Sequence, residues 1–278
     1  MNCLEEISFA VDIDWLPEVA GLSGFFALKK LEMTAMSGSA ESTRSYLNAF
    51  SSPGLRQLTL RIQGESLNLD EISATCTLFA QRFPSLEDLT WSFLTHHPMP
   101  LDIALAPLFP LRLAKLSLEL NGPPGMMPIL DDGVFAALTK AWPNLTALSV
   151  VIPEDRTERP GATTRRATIT AHTVLALARA CPLLRTLRLP RMQAPQLEDV
   201  REFPFLRHGL RTFIVDRPEA AEDGEYAACA LLLDRLFPEL DLDVEMVGIN
   251  MYSGFGWKRV LAGVQLCRLG RGNLVLEG

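Results

Sequence analysis

The chain has 278 residues, of which 48% are hydrophobic and 21% are charged, and its formal net charge is -7 at pH 7. This acidic balance argues against a nucleic-acid-binding protein, which needs a basic face interleaved with aromatic residues. No apolar run reaches the ~18 residues of a transmembrane helix, and the first residues lack the basic and apolar segments of a secretion signal. We therefore expect a cytoplasmic or nuclear protein with neither a membrane nor a nucleic acid as its partner.

The cysteines of the chain follow no pattern that is typical of metal sites or disulfide frameworks. Their number is odd, no two of them form a CxxC pair, and most fall in predicted helices, where cysteine behaves as a small hydrophobic residue. We interpret them as reduced core thiols. They are Cys3, Cys76, Cys181, Cys229 and Cys267.

An LxxLxL spacing of apolar residues recurs eight times along the chain. Its last three positions alternate apolar, polar, apolar, which is the period of a short strand with one buried face. Successive copies begin between 24 and 39 residues apart. In chain order the apolar positions are Leu4, Ile7, Phe9; Leu28, Leu31, Met33; Leu55, Leu58, Leu60; Leu86, Leu89, Trp91; Leu113, Leu116, Leu118; Leu145, Leu148, Val150; Leu184, Leu187, Leu189; and Leu210, Phe213, Val215.

Helical patterns lie between most of these strands. In residues 170–181, for example, Val174, Ala178 and Cys181 recur at i, i+4 and i+7 and predict one buried stripe. Asp70 and Asp132 are expected to accept hydrogen bonds from the free amides at two helix starts. The predicted helices are residues 41–50, 70–83, a proline-broken helix up to Phe109, 131–142, 170–181 and 226–237.

The C-terminal region differs in style from the rest of the chain. A ninth, poorer copy of the spacing lies at Leu240, Leu242 and Val244. We predict a C-terminal cap over residues 245–278 that holds, in order, an aromatic turn (252–257), a helix (258–269) and a last strand (274–276).

The longest gap between copies contains an insertion at residues 153–168. Its four arginines resemble an anion-binding loop, but three acidic residues offset most of their charge, so we predict a surface loop rather than a phosphate site. The charged residues are Arg156, Arg159, Arg165, Arg166, Glu154, Asp155 and Glu158.

No catalytic, cofactor or metal motif occurs in the sequence, which favours a non-enzymatic protein. The adjacent His96 and His97 have no acidic or sulfur partner at a metal-binding spacing, so we interpret them as part of a solvated turn. With His172 and His208 they are the four histidines of the chain, and pairing of one of them with a serine or a cysteine in space stays open. We expect no catalytic residues, no cofactor and no metal.

Four of the strands are preceded by the same joint, an aromatic residue or cysteine followed by proline, any residue and leucine. The joints are residues 83–86 (FPSL), 142–145 (WPNL), 181–184 (CPLL) and 237–240 (FPEL). With these joints the chain resembles the repeat domain of F-box-type leucine-rich-repeat proteins. The resemblance implies an α/β solenoid of about 8–10 repeats, with a curved parallel sheet inside and helices outside, in a single domain over residues 1–278. The F-box itself is not present, and the asparagine of the family's repeat is matched only by Asn121.

In such a repeat domain the polar positions of the strands point to the concave face, where partners bind. The resemblance implies a protein-protein interaction module, either the substrate-recognition part of an SCF-type ubiquitin ligase or a free-standing structural or regulatory scaffold. A ligase adaptor would bind through the missing N-terminal segment. We expect Arg61, Lys115 and Arg188 to be polar anchors. The full set of expected partner-binding residues is Gln57, Thr59, Arg61, Asp88, Thr90, Lys115, Ser117, Glu119, Thr186 and Arg188.

Overall fold

The computed structural model describes residues 4–12, 25–50, 52–123, 126–153, 169–219, 223–242 and 251–276. These residues fall into two compact units, the first within residues 1–130 and 150–166 and the second within residues 131–149 and 167–278. The expectation of a single domain over residues 1–278 stays a prediction. Apart from Pro153, the insertion predicted at residues 153–168 lies outside the described residues.

The first unit contains a parallel sheet whose strands follow one another in chain order. Each strand pairs with the next through a parallel ladder, and the register shifts only near the ends of the β1–β2 and β3–β4 ladders. The strands coincide with the first five LxxLxL copies, so those five predictions are confirmed. They are β1 (Glu6–Asp12), β2 (Lys30–Ser37), β3 (Gln57–Ser66), β4 (Asp88–Leu94) and β5 (Lys115–Asn121).

From β2 onward, helices connect the strands of the first unit and pack against their leucine face. They are α1 (Ala40–Asn48), α2 (Leu69–Arg82) and α3 (Leu101–Leu105), and a 3-10 turn (Ala106–Leu108) follows α3. In α2 the buried Ile72, Cys76 and Phe79 recur at helical spacing, and the Phe79 ring lies 5.4 Å from that of Trp91 in β4. Burial of each such side chain stabilises the fold by about 1.5 to 3 kcal/mol.

The start of α2 differs from the prediction. The N-cap is Asn68, whose Oδ1 atom accepts a hydrogen bond from the backbone N–H of Glu71 at 3.0 Å. In return, the Glu71 carboxylate accepts one from the backbone N–H of Asn68 at 2.8 Å. This reciprocal capping box satisfies two of the amides that a helix start leaves without partners. Asp70 lies in the first turn, where a negative charge favours the helix, but it is not the cap.

The second unit repeats the alternation of strands and helices. Three parallel strands pair in chain order and confirm the last three LxxLxL copies: β6 (Ala147–Val151), of which residues 147–149 belong to this unit, β7 (Thr186–Gln193) and β8 (Thr212–Glu219). The first two helices, α4 (Asp132–Ala141) and α5 (Ala171–Ala180), match the predictions to within about one residue. The others are α6 (Leu197–Glu202), α7 (Asp223–Leu236) and α8 (Met251–Leu276). Of these, α6 was not predicted from the sequence. The described residues thus form an α/β fold, as predicted.

The N-cap of α4 is not Asp132, as predicted, but the residue before it. Asp131 is the N-cap, and its Oδ1 atom accepts from the Val134 amide at 3.0 Å. Asp132 instead accepts hydrogen bonds from Thr170, the N-cap residue of α5, and from Thr173 in that helix. The prediction of Asp132 as a cap is wrong because a second helix start competes for the same carboxylate.

The C-terminal region differs most from the prediction. Residues 251–276 form one helix, so the aromatic turn at 252–257 and the strand at 274–276 are wrong, and only the helix at 258–269 is confirmed. Trp257, Val260 and Val264 bury one face of α8, and this packing outweighs the helix-breaking tendency of its glycines.

In the ninth copy Leu240 is buried, but no strand forms up to residue 242, and Val244 lies outside the described residues. Of the predicted cap at 245–278, the structure describes α8. None of the described helices is both long and apolar enough to cross a membrane.

Candidate functional site

The strands of the first unit have one apolar face and one polar face. In β3, Leu58, Leu60 and Ile62 are buried, whereas the alternate residues are exposed or half-exposed. The same alternation runs through β4 and β5. It separates the helix-covered face from a face that keeps contact with solvent. We call the solvent-accessible side the polar sheet face.

The parallel register aligns the predicted partner-binding residues of the first unit in three rows. Each row crosses β3, β4 and β5, and neighbouring strands in a sheet lie about 4.8 Å apart. The structure therefore brings all eight predicted residues of this unit together, with Ser92 completing the third row. The rows are Gln57, Asp88, Lys115; Thr59, Thr90, Ser117; and Arg61, Ser92, Glu119.

Oppositely charged side chains pair between neighbouring strands at the edge of the sheet where the parallel strands begin. Four ion pairs lie there, two between β1 and β2, one between β3 and β4 and one between β4 and β5, and we call them the charged belt. Most of these side chains are about half-exposed, so each pair contributes little to stability, on the order of 0 to 1 kcal/mol. The pairs are Glu5–Lys29 at 2.8 Å, Glu6–Lys30 at 3.4 Å, Arg56–Glu87 at 3.8 Å and Asp88–Lys115 at 3.3 Å.

Beyond the charged belt, the middle of the polar sheet face is rich in hydroxyl groups. Five half-exposed side chains form this hydroxyl patch: Thr34, Thr59, Thr90, Ser92 and Ser117. The predicted anchor Arg61 borders it, and its Nη1 atom donates to Glu32 Oε1 at 2.7 Å. The Asn121 amide donates to Ser92 Oγ at 3.2 Å. The patch thus presents hydroxyl donors and acceptors beside a guanidinium group that a neighbouring strand holds in place.

Thr186 and Arg188, the remaining predicted residues, lie on β7 in the second unit. Arg188 Nε donates to Asp216 Oδ1 on β8 at 2.8 Å, and the two side chains are only 24% and 14% exposed. This pair is more enclosed than any pair of the charged belt, so removal of one partner would leave a partly buried charge.

Sequence reasoning found the polar positions but missed what holds them. The acids that pair with Arg61 and Arg188 lie diagonally across from them, two residues along the neighbouring strand. The charged belt also uses Glu5, Lys29, Arg56 and Glu87, which directly precede their strands and were not among the predicted residues. Opposite charges at the two positions after the first leucine of neighbouring LxxLxL copies are a signal that could have revealed the belt.

His208 is the buried histidine of the described chain. Its Nδ1 atom accepts from the Leu210 amide at 3.1 Å, so Nε2 carries the proton and donates to the Cys181 carbonyl at 3.0 Å. The thiol of Cys181 instead contacts the Trp142 carbonyl at 3.6 Å. Both ring nitrogens therefore bind backbone groups, and the imidazole joins the loop before β8 to the end of α5.

Two of the other histidines make local structural contacts. His172 packs its ring edge-on against Phe203 at 5.3 Å. The His97 amide donates to Thr95 Oγ1 at 3.4 Å in the turn after β4. Within the described ranges, no group of three or more His, Cys, Asp or Glu residues could hold a metal ion.

An open groove lies between α1 and α2 on the helical side of the first unit. Its volume is about 370 Å³, and polar side chains including Arg44, Asn48 and Gln81 line it. Asn48 also accepts from Arg82 Nε at 3.1 Å. Glu41, Ser45 and Thr77 also line the groove, so it is a polar and open depression, unlike the mostly apolar, enclosing pockets that small-molecule ligands usually occupy.

Comparison with known proteins does not identify a family for the chain. No protein-family model matches the chain, and no curated protein matches it. A crystal structure of a protein from Bacteroides fragilis aligns with 68% of this chain at 15% sequence identity and a TM-score of 0.30. The alignment covers 65% of that protein, less than two thirds of its length. A likeness this small supports no conclusion about fold or function.

Proposed function

We propose that the chain is a protein-binding module of the leucine-rich-repeat type and that the polar sheet face is its binding surface. The observation that carries the proposal is the in-register alignment of polar side chains across successive parallel strands. A row of this kind offers a partner repeated, evenly spaced contacts, which is how repeat proteins build extended binding surfaces.

The ion pairs support this use of the face. Arg61 is held by Glu32 and Lys115 by Asp88, so their orientations are largely set before a partner arrives. A side chain that is already ordered loses less entropy on binding. The hydroxyl patch between them adds groups that can donate and accept hydrogen bonds. The rows extend across three strands, which is the kind of extended surface that repeat proteins offer to macromolecular partners.

Site-specific photo-crosslinking in cells tests the proposal. A photoreactive phenylalanine analogue at Thr90 should yield defined protein adducts that mass spectrometry identifies. The matched control places the same analogue at Ala74, an exposed position on α2 outside the polar sheet face. Adducts from Thr90 that disappear in the Arg61→Glu background would support the proposal. The same adducts from both positions, or none from Thr90, would refute it.

A narrower proposal is that the partner is a substrate of an SCF-type ubiquitin ligase. Its support is the FPSL-type joint, which resembles those of F-box-type repeat proteins. Affinity purification of the full-length protein should then recover the ligase adaptor and cullin in stoichiometric amounts. Recovery of the face-dependent partner without them would instead favour a free-standing scaffold, and the protein-binding proposal would stand.

A further inference from the structure

The exposed side of α8 carries an apolar stripe. Ala262, Leu266 and Leu269 recur at i, i+4 and i+7, and all three are exposed. Leu266 is 70% exposed and Leu269 is 59% exposed, which places them among the most exposed large apolar residues of the described chain. Exposed leucines at helical spacing are typical of a surface that another chain covers.

Packing of the opposite side fixes this orientation. Trp257, Val260 and Val264 are buried, and the Trp257 ring lies 5.5 Å from that of Phe213 in β8. At Gly263 the helix approaches α7 so closely that a Cβ atom would lie 2.7 Å from the Ala230 methyl group. Rotation of α8 to bury its leucines would break these contacts. The apolar stripe is therefore a fixed feature of the surface.

The charge of α8 indicates what kind of partner fits. Residues 251–276 contain four cations and no acidic residue, although the whole chain is acidic. Arg268 has a structural role, because its Nη2 atom donates to the Leu240 carbonyl at 2.9 Å. Lys258 and Arg259 are exposed, and at about 100° per residue they flank the apolar stripe on its two sides. The Arg259 guanidinium lies 4.8 Å from the Tyr226 ring.

We propose that this face of α8, defined by Lys258, Arg259, Ala262, Leu266 and Leu269, binds an acidic amphipathic helix of another protein. An apolar centre with a charged rim is the usual anatomy of a protein interface. Helix partners dock through anchors at i, i+4 and i+7, the spacing that the stripe presents. Acidic residues beside the partner's apolar positions would face the flanking cations.

Two other occupants fit less well. A second copy of α8 would bring like charges together, because the helix carries four cations and no acid. An anionic membrane would be opposed by the net charge of -7, and Trp257, one of the aromatic residues of α8, is buried in the core rather than available to a membrane interface.

Fluorescence anisotropy with a designed peptide tests this proposal on the full chain. The probe is a labelled helical peptide with leucine at i, i+3, i+4 and i+7 and glutamate on both flanks, and its control has lysine for every glutamate. We expect saturable binding of the acidic peptide only. The double variant Leu266→Ser/Leu269→Ser should weaken binding by about tenfold or more. The double variant Lys258→Glu/Arg259→Glu should also weaken peptide binding. This loss of affinity should be larger at low salt than at high salt, because salt screens exposed charges.

The matched control variant is Ile103→Ser, which removes a similarly exposed apolar side chain from α3 in the first unit. It should leave peptide binding unchanged, and circular dichroism should show that all variants are folded. The proposal fails if the acidic peptide does not bind or binds the leucine variant equally well. It also fails if wild type prefers vesicles of phosphatidylserine and phosphatidylcholine, or if ultracentrifugation shows dimers that depend on Leu266.

Discussion

Asp132 is the residue whose contacts most clearly join two elements. Its carboxylate accepts from the Thr170 amide at 3.0 Å, from Thr170 Oγ1 at 2.7 Å and from the Thr173 hydroxyl. Burial raises the pKa of Asp132, but the hydrogen bonds from Thr173 and Thr170 and the nearby His172 outweigh it, and the net pKa is lowered from its ordinary value of 3.8. The charged form is therefore favoured by folding.

The variant Asp132→Asn should lose part of this stabilisation. The amide keeps the size of the side chain but loses its charge and one acceptor, so we expect the free energy of unfolding at pH 7 to fall by about 1 to 2 kcal/mol. Because the pKa of Asp132 is lower in the folded state than in the unfolded state, its carboxylate stabilises the protein at pH values above the unfolded pKa. This stabilisation is lost as the pH falls through the folded pKa. The difference between variant and wild type should therefore shrink below pH ~4.

Urea unfolding between pH 3 and pH 7 measures this difference. Glu202→Gln is a matched control, because Glu202 is an exposed carboxylate at the end of α6, and its effect should stay within about 0.5 kcal/mol. A pH-independent difference for Asp132→Asn would show that the loss comes from packing rather than from the charge.

The buried thiols lead to a second prediction at the residue scale. Burial raises the pKa of Cys181 to about 11. Burial and then the negative charge of Glu225 raise the pKa of Cys229 to about 12, and burial also raises that of Cys76. Since the thiolate is the reactive form, iodoacetamide at pH 8 should label these cysteines at least about 100-fold more slowly in the native chain than in urea.

Site-resolved mass spectrometry follows the labelling of each cysteine. The same chain unfolded in urea is the control, because it removes burial without changing any side chain. Native labelling of Cys76, Cys181 or Cys229 at the unfolded rate would contradict the buried positions that the structure assigns to them.

At the scale of single elements, sequence patterns succeeded where one face decides the structure. The alternation in LxxLxL predicted eight strands, because a strand of this period can bury its leucines on one face only. The prediction for the C-terminal region was wrong because contacts between elements, rather than a local sequence pattern, decide its structure. Glycine and aromatic residues at 252–257 are typical of a turn, but the packing of Trp257 against β8 and of Gly263 against α7 favours a continuous helix. Such tertiary contacts leave no local sequence signal.

Gly263 and Gly270 in α8 provide a test of that explanation. A Cβ atom at Gly263 would meet the Ala230 methyl group at 2.7 Å, whereas nothing lies within 4 Å of the corresponding position at Gly270. Alanine favours helices over glycine by about 1 kcal/mol. Gly270→Ala should therefore raise the free energy of unfolding by about 0.5 to 1 kcal/mol. Gly263→Ala should lower it by about 1 to 2 kcal/mol, because the two helices must separate.

Thermal and urea unfolding of the two variants measure these opposite signs. Each variant is the control of the other, since both make the same chemical change in the same helix. Stabilisation by Gly263→Ala equal to that by Gly270→Ala would mean that α7 and α8 do not approach as closely as described.

At the scale of the whole molecule, the sequence identified the repeated alternation of strands and helices but not the side-chain contacts across strands. Those contacts depend on the register in which neighbouring strands pair. The register is set when the buried leucines of all the strands align, so a single LxxLxL copy does not reveal it. Arg188 could be recognised as an exposed polar position from β7 alone. Its pairing with Asp216 requires knowing that β8 lies beside β7 and which residues face each other.

Stability should vary along the first unit, because each strand is supported mainly by its neighbours. Among the described strands, β1 pairs with β2 alone, and its inward residues Ile7, Phe9 and Val11 are only half-buried. The inward residues of β4, which pairs on both sides, are fully buried. Opening free energies in folded proteins range from near zero at frayed elements to the global value in the core. Amide hydrogen exchange, measured by mass spectrometry and corrected for intrinsic rates, should be about two orders of magnitude faster in β1 than in β4. Equal protection of the two strands would mean that the sheet opens as one cooperative unit and would contradict the neighbour-dependent stability that the burial gradient predicts.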